Sequence, residues 1–296
     1  MNGRKRAFRP DGFSAPGKRG FGLRRWLALP VLATIFAASA AAQAPAQAPA
    51  EIPAPSLVRA TPALWEIRDA DTTIYLFGTF HTLDGRTVWF DRKVREAFDR
   101  SGELMLETVV PDDVVALRSA AEAQGSETVD GKRRLKPFIA QTQAVVSQGR
   151  SIGLSVDNGA DAVLRRVAED NGKPVGGLEL FEDQLGTLSR IPATAPASMV
   201  AAPQPPASIT LTDLLQAWTT GDTAAFTTML SGFEAKAPVA YRMLISDRNA
   251  RWGQWIANRL EQPGIVFVAV GSGHLAGKDS VQSWLAGRGI SATRVS

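Results

Sequence analysis

Only two histidines occur in the 296 residues, and each closes a Gly-x-x-His pattern: Gly78-Thr79-Phe80-His81 and Gly271-Ser272-Gly273-His274. Histidine is the side chain whose proton equilibrium lies nearest neutral pH, and it is the commonest metal ligand. An apolar run precedes each pattern, Ile74-Tyr75-Leu76-Phe77 in one and Ile265-Val266-Phe267-Val268-Ala269-Val270 in the other. Two imidazoles placed alike at the ends of two strands predict one shared site. Glu107 closes a third apolar run, Leu104-Met105-Leu106. His81, His274 and Glu107, with one position left open, form a donor set for a divalent metal ion that activates water. One histidine acting alone as general base is the metal-free version of the same site.

Two further residues belong to the constellation. Glu179 follows Pro174-Val175-Gly176-Gly177-Leu178. It is read either as a fourth site residue or as the N-terminal acid of the next helix, where the helix dipole favours it. Arg248 falls on the apolar stripe Leu244, Trp252, Ile256 of a long helix, with Asn249 beside it. A charge on such a stripe either meets a carboxylate of the site or an anionic group of the substrate, or snorkels past Trp252 to water. Gly78 and Gly271 are read as turning points that let each histidine bend back over the sheet edge.

These residues require strands whose carboxyl ends lie side by side. Hydrophobic runs at 64–67, 73–77, 104–106, 174–178 and 265–270 alternate with helical patterns at 88–100, 111–123, 136–147, 160–170, 238–260 and after Ser280. A further helix runs on from Glu179 through Leu188, two short ones lie within 211–230, and 125–131 reads as a polar loop. The alternation predicts a single α/β domain over 63–296, with a mixed, mainly parallel central sheet flanked by helices. In such sheets functional groups collect at the carboxyl edge. The segment 191–208, with five prolines, reads as a surface insertion within the domain.

The first 42 residues carry eight basic side chains, then an apolar stretch from Trp26 to Ala38, then small residues: the order of a secretory signal. The apolar part is too short to cross a bilayer of ~30 Å as a helix, which predicts no stable membrane span in the mature chain. Residues 43–62, rich in Ala and Pro, read as a linker. The whole chain has a net charge of +4, but without the first 42 residues 25 basic side chains face 28 acidic ones. The basic balance therefore belongs to the leader, which argues against a phosphate-binding surface for nucleic acid. No cysteine is present to make disulfides in a periplasmic or secreted protein. Neither a phosphate-binding glycine loop nor a Gly-x-Ser-x-Gly nucleophile elbow occurs.

Taken with their flanks, Leu64-Trp65-Glu66-Ile67, Tyr75 to His81 and Val268 to Gly277 resemble the TraB/GumN family, which includes PrgY and the animal Tiki proteins. Glu107, Leu178-Glu179, Gln184-Leu185 and Asp247-Arg248-Asn249 with Trp252 resemble family positions in the same order. The resemblance implies a fold related to erythromycin-esterase-like and haem-binding ChaN-like proteins. From Tiki it implies a divalent-metal-dependent peptidase built on His81, Glu107 and His274, with Arg248 in support. The expected partner is a peptide or small-molecule substrate. A third reading is a binding protein for haem, a peptide or a polysaccharide intermediate.

Overall fold

The computed structural model describes residues 57–296 apart from positions 91, 112, 114–118, 120–123 and 192–208. The leader, most of the linker, nearly all of the helix expected over 111–123 and the insertion beyond Ile191 lie outside the described residues.

In chain order the first strands are β1 (Val58–Arg59), β2 (Leu64–Arg68), β3 (Thr72–Thr79) and β4 (Thr87–Val88), followed by helix α1 (Arg92–Arg100) and strand β5 (Glu103–Leu106). Strands β6 (Ser126–Val129) and β7 (Lys132–Leu135) precede helices α2 (Pro137–Ser151) and α3 (Ala160–Asp170), then strand β8 (Val175–Gly177) and helix α4 (Phe181–Ser189). Helices α5 (Leu211–Thr220), α6 (Ala224–Lys236), α7 (Pro238–Tyr241) and α8 (Asp247–Arg259) lead to strand β9 (Gly264–Gly271), helix α9 (Val281–Ala286) and strand β10 (Ala292–Arg294).

Six strands form the central sheet in the order β10-β2-β3-β9-β5-β8. The pairs β3–β9, β9–β5 and β5–β8 are parallel, whereas β2 and β10 join antiparallel at one edge. The fold is therefore α/β with a mixed, mostly parallel sheet between helices, as the alternation predicts. Every residue of β3 is buried, and so are the last six of β9. Strands enclosed on both faces read as unbroken apolar runs, which explains why these two were visible as such in the sequence. Alternate side chains divide between two cores. Tyr75, Phe77, Phe267 and Ala269 pack with Phe98, Leu164, Trp218 and Phe233, while Ile74, Leu76, Val266 and Val268 pack with Trp252, Ile256, Val281 and Leu285.

Three local features differ from the sequence reading. Residues 125–131 are not simply a loop. Strands β6 and β7 form an antiparallel hairpin across Asp130-Gly131, both with positive φ, 51° and 70°. That is the geometry of a tight primed turn. The long helix is interrupted at Arg242–Ser246 by a π turn, where the Asp247 N–H donates to the Arg242 carbonyl. The fold also reaches into the stretch read as linker. Strand β1 pairs in parallel with β4, and Ala60 is buried. Among the described residues no helix is long and apolar enough to cross a membrane.

Candidate functional site

Register brings the site together. Thr79 of β3 pairs with Gly271 of β9, and Leu106 of β5 lies between Ala269 of β9 and Gly177 of β8. The segments after these strands, carrying His81, Glu107, Glu179 and His274, thus leave the parallel block at one edge. Pairing continues one step past β8, where the Glu179 N–H donates to the Glu107 carbonyl at 3.0 Å. Helix α8 supplies the fifth residue. Its stripe Trp252–Ile256 is fully buried against the sheet, so Arg248, one turn earlier, arrives at the carboxyl edge.

Arg248 does not snorkel to water. Its guanidinium lies 4.5 Å above the Trp252 ring and uses every N–H it has. Nε and Nη2 donate to Glu179, Nη2 also donates to Glu107 Oε2 at 2.7 Å, and Nη1 donates to the Leu244 carbonyl and to His274 Nε2 at 3.1 Å. Guanidinium offers five donors and all are engaged, so none is free for an anionic substrate group. Glu107 and Glu179 are thereby satisfied in a setting where an unpaired carboxylate would be costly. Burial opposes the charge on Glu107, but Arg248 and the two histidines outweigh it and hold the carboxyl well below the usual range.

The histidines differ sharply. His274 is buried, with its ring 4.5 Å from that of Trp252. Asn249 Nδ2 donates to the Asp279 carbonyl at 2.7 Å and the His274 carbonyl at 3.3 Å, which fixes the amide so that its Oδ1 faces His274 Nδ1 at 2.7 Å. His274 therefore carries its proton on Nδ1, and the Nε2 lone pair receives the Arg248 N–H. Burial pushes its pKa down to about 3. The Glu107 charge opposes that shift, while those of Arg248 and His81 add to it. It is neutral at pH 7.

His81 is 58% exposed, and its Nδ1 lies 3.0 Å from Asp161 Oδ1. Its enclosed flank disfavours the imidazolium, but the Asp161 carboxylate, with a smaller contribution from Glu107, raises its pKa to about 9. Asp161 was not among the residues singled out from the sequence. Its only signal there was an acid in the first turn of a helix.

Neither Gly78 nor Gly271 has positive φ. The expectation that they serve as turning points is corrected: what they supply is room. A methyl group built on Gly271 would lie 3.0 Å from both Glu107 Oε1 and His81 Nε2, and one on Gly78 would lie 2.7 Å from Ser272 Oγ. Glu107 Oε1 also accepts the Gly271 N–H at 2.6 Å. The backbone at Gly271 is thus the floor on which His81 and Glu107 converge.

A divalent ion can be tested against this donor set. Glu107 Oε1 and His274 Nε2 are 3.8 Å apart, within the span of two metal–ligand bonds of ~2.0–2.2 Å each. His81 Nε2 borders the same space above Gly271. The Glu107–His274 spacing admits an ion between those two atoms, with one competitor: Arg248 Nη1 already occupies the His274 Nε2 lone pair. Among the described residues no three His, Cys, Asp or Glu side chains are placed together so as to hold a metal ion.

No curated protein and no solved structure matches the chain. A family model does, over residues 63–129 and 108–294, and so spans both Gly-x-x-His patterns, Glu107, Glu179 and Arg248. The chain is a member of the TraB/PrgY/gumN family.

Proposed function

We propose that this protein is an exported hydrolase, acting on peptides or on small molecules in the periplasm or outside the cell. The observation that carries the reading is the convergence of His81 Nε2 and Glu107 Oε1 above Gly271, beside a buried charge network. His81 is the one imidazole open to solvent, and with Nδ1 tied to Asp161 its Nε2 is the atom that exchanges a proton with water or a leaving group. Glu107 stays ionised and presents Oε1, already holding the Gly271 N–H, to a water molecule. Arg248 orders both glutamates and keeps Glu107 charged, and His274 is the neutral imidazole that accepts its Nη1 N–H. The leader supports export, and without it the charge balance is weakly acidic.

The leading form of the site is metal-dependent. His81, Glu107 and His274 would hold the divalent ion, which supplies a bound water of lowered pKa. A metal-free form is favoured by one contact, the Arg248 N–H on His274 Nε2, since it spends the lone pair that a metal needs. In that form His81 alone moves the proton. The test uses purified protein, a mixture of internally quenched peptides and p-nitrophenyl acetate, with and without chelator, alongside metal content. Loss of turnover by about 100-fold or more in His81→Ala is expected in both forms. Parallel loss of bound metal in His81→Ala and His274→Ala supports the metal form. Folded His81→Ala and His274→Ala proteins with unchanged turnover and metal content would overturn the hydrolase reading.

A further inference from the structure

Asp161 stands 80 residues from His81 in the chain, yet its Oδ1 is 3.0 Å from His81 Nδ1. Local structure enforces the meeting. The loop after β3 is stitched to the segment before α3 by three backbone bonds. The Leu83 N–H donates to the Ser155 carbonyl at 3.1 Å, the Ser155 N–H returns to Leu83 at 2.8 Å, and the Ala160 N–H donates to the Phe80 carbonyl at 3.0 Å. Gly159 lies between them so tightly that a methyl group there would come within 2.2 Å of the His81 carbonyl oxygen. Its φ of −54° is ordinary, so what demands glycine is this approach of two backbones. Helix α3 therefore begins against His81, with Asp161 in its first turn.

An acid in a first turn can be there for the helix dipole alone, which favours it by roughly 0.3–1 kcal/mol. Two observations exceed that role. The Asp161 carboxylate is turned onto an imidazole nitrogen, and its counterpart on the second histidine is chemically different. His274 Nδ1 faces the neutral Asn249 amide, whereas His81 Nδ1 faces a carboxylate. Both rings are held through Nδ1 with Nε2 turned into the site, but only one is backed by charge. The other charged groups that His81 senses are Glu107 and Arg248; His274 is neutral at pH 7.

We propose that Asp161 is the positioning residue of this site. Its carboxylate holds His81 as the Nδ1–H tautomer and aims Nε2 at Glu107 and Gly271, so that His81 is the solvent-facing imidazole that meets substrate. A carboxylate behind an imidazole performs this orienting task both for general bases and for metal ligands. The catalytic consequence rests on the hydrolase reading above; the tautomer does not.

The test is made on the full chain with ¹⁵N-labelled histidine, at a pH where the spectra themselves show the His81 ring neutral, comparing wild type with Asp161→Ala, Asp161→Leu and Asp161→Glu. Turnover of the quenched peptide mixture is followed in the same samples. Expected in wild type is an Nδ1–H signature for His81. Asp161→Ala and Asp161→Leu should shift at least half of that population to Nε2–H while thermal stability holds. They should lower kcat about 100-fold with KM within about threefold, and Asp161→Glu should restore much of both. An Nδ1–H population unchanged in Asp161→Ala and Asp161→Leu would overturn the proposal, as would unchanged kcat in a variant whose tautomer has shifted. Full turnover in His81→Ala sinks the hydrolase reading separately, whatever the tautomers do.

Discussion

At the scale of residues, the site divides its labour between two imidazoles that the sequence presents as equals. Each ends a Gly-x-x-His pattern, and nothing in either pattern reveals that one ring is buried against Trp252 and the other open beside a carboxylate. His81, Glu107, Glu179, Arg248 and His274 were legible because each ends an apolar strand or interrupts an apolar helical stripe, where a polar side chain needs a reason. Asp161 was not, because its partner is distant in the chain and only the docking of α3 brings them together. Arg248 is the residue whose role changed most. Sequence alone allowed it to meet the substrate; the structure engages all five of its donors within the protein. Its loss should therefore register as instability. Arg248→Ala leaves Glu107 buried without a guanidinium and Glu179 with only the more distant Arg251 at 3.7 Å, and unfolding titration should show a cost of about 3–5 kcal/mol. Arg248→Lys should recover little of this, since one ammonium cannot reproduce a fork shared by two glutamates, a histidine and a carbonyl. A variant as stable as wild type would mean that the network does not exist in solution.

At the scale of elements, strand register does what side-chain chemistry alone cannot. Pairing of Thr79 with Gly271, and of Leu106 with Ala269 and Gly177, aligns four strand ends within one row of the sheet. The glycines at those ends guard space. Gly271→Ala would press a methyl group to 3.0 Å from both His81 Nε2 and Glu107 Oε1, tighter than side chains normally pack. Because φ at Gly271 is −53°, the backbone itself accepts alanine. The expected result is a folded protein that loses about 1–3 kcal/mol and most of its activity, measured by thermal melting and peptide turnover together. Retained activity at wild-type stability would argue that His81 and Glu107 do not converge there. The elements missed from sequence have physical reasons. Strands β6 and β7 are short and mostly exposed, so no buried face imposes alternation on them, and Asp130-Gly131 was their one clear signal. The π turn at Arg242–Ser246 leaves no trace in a helical pattern. It stands immediately before Asp247-Arg248-Asn249, the segment that reaches the site, and its last residue, Ser246, and the preceding Tyr241 both donate to Asp279.

At the scale of the whole molecule, the fold keeps several charges out of water and balances them, and this ties stability to pH. The folded pKa of His274 lies far below its unfolded value of about 6.5, so its contribution is complete above that value and is lost as pH falls toward 3. Glu107, also depressed, adds to the same acid loss. His81 works in the other direction. Its raised pKa stabilises the fold below about 6.5, and that contribution fades as pH rises toward 9, in an amount reduced by its exposure to solvent. The opposite shifts of two rings at one sheet edge are the signature of the whole arrangement. Since the chain has no other histidine, ¹⁵N-histidine spectra of the intact protein, metal-free and titrated from acid to alkali, read both rings without ambiguity. One imidazole should stay neutral and Nδ1-protonated throughout the range in which the protein is folded, and should be lost in His274→Gln. The other should titrate well above 6.5 and be lost in His81→Gln. Two rings titrating together near 6.5, as free histidine does, would contradict the account.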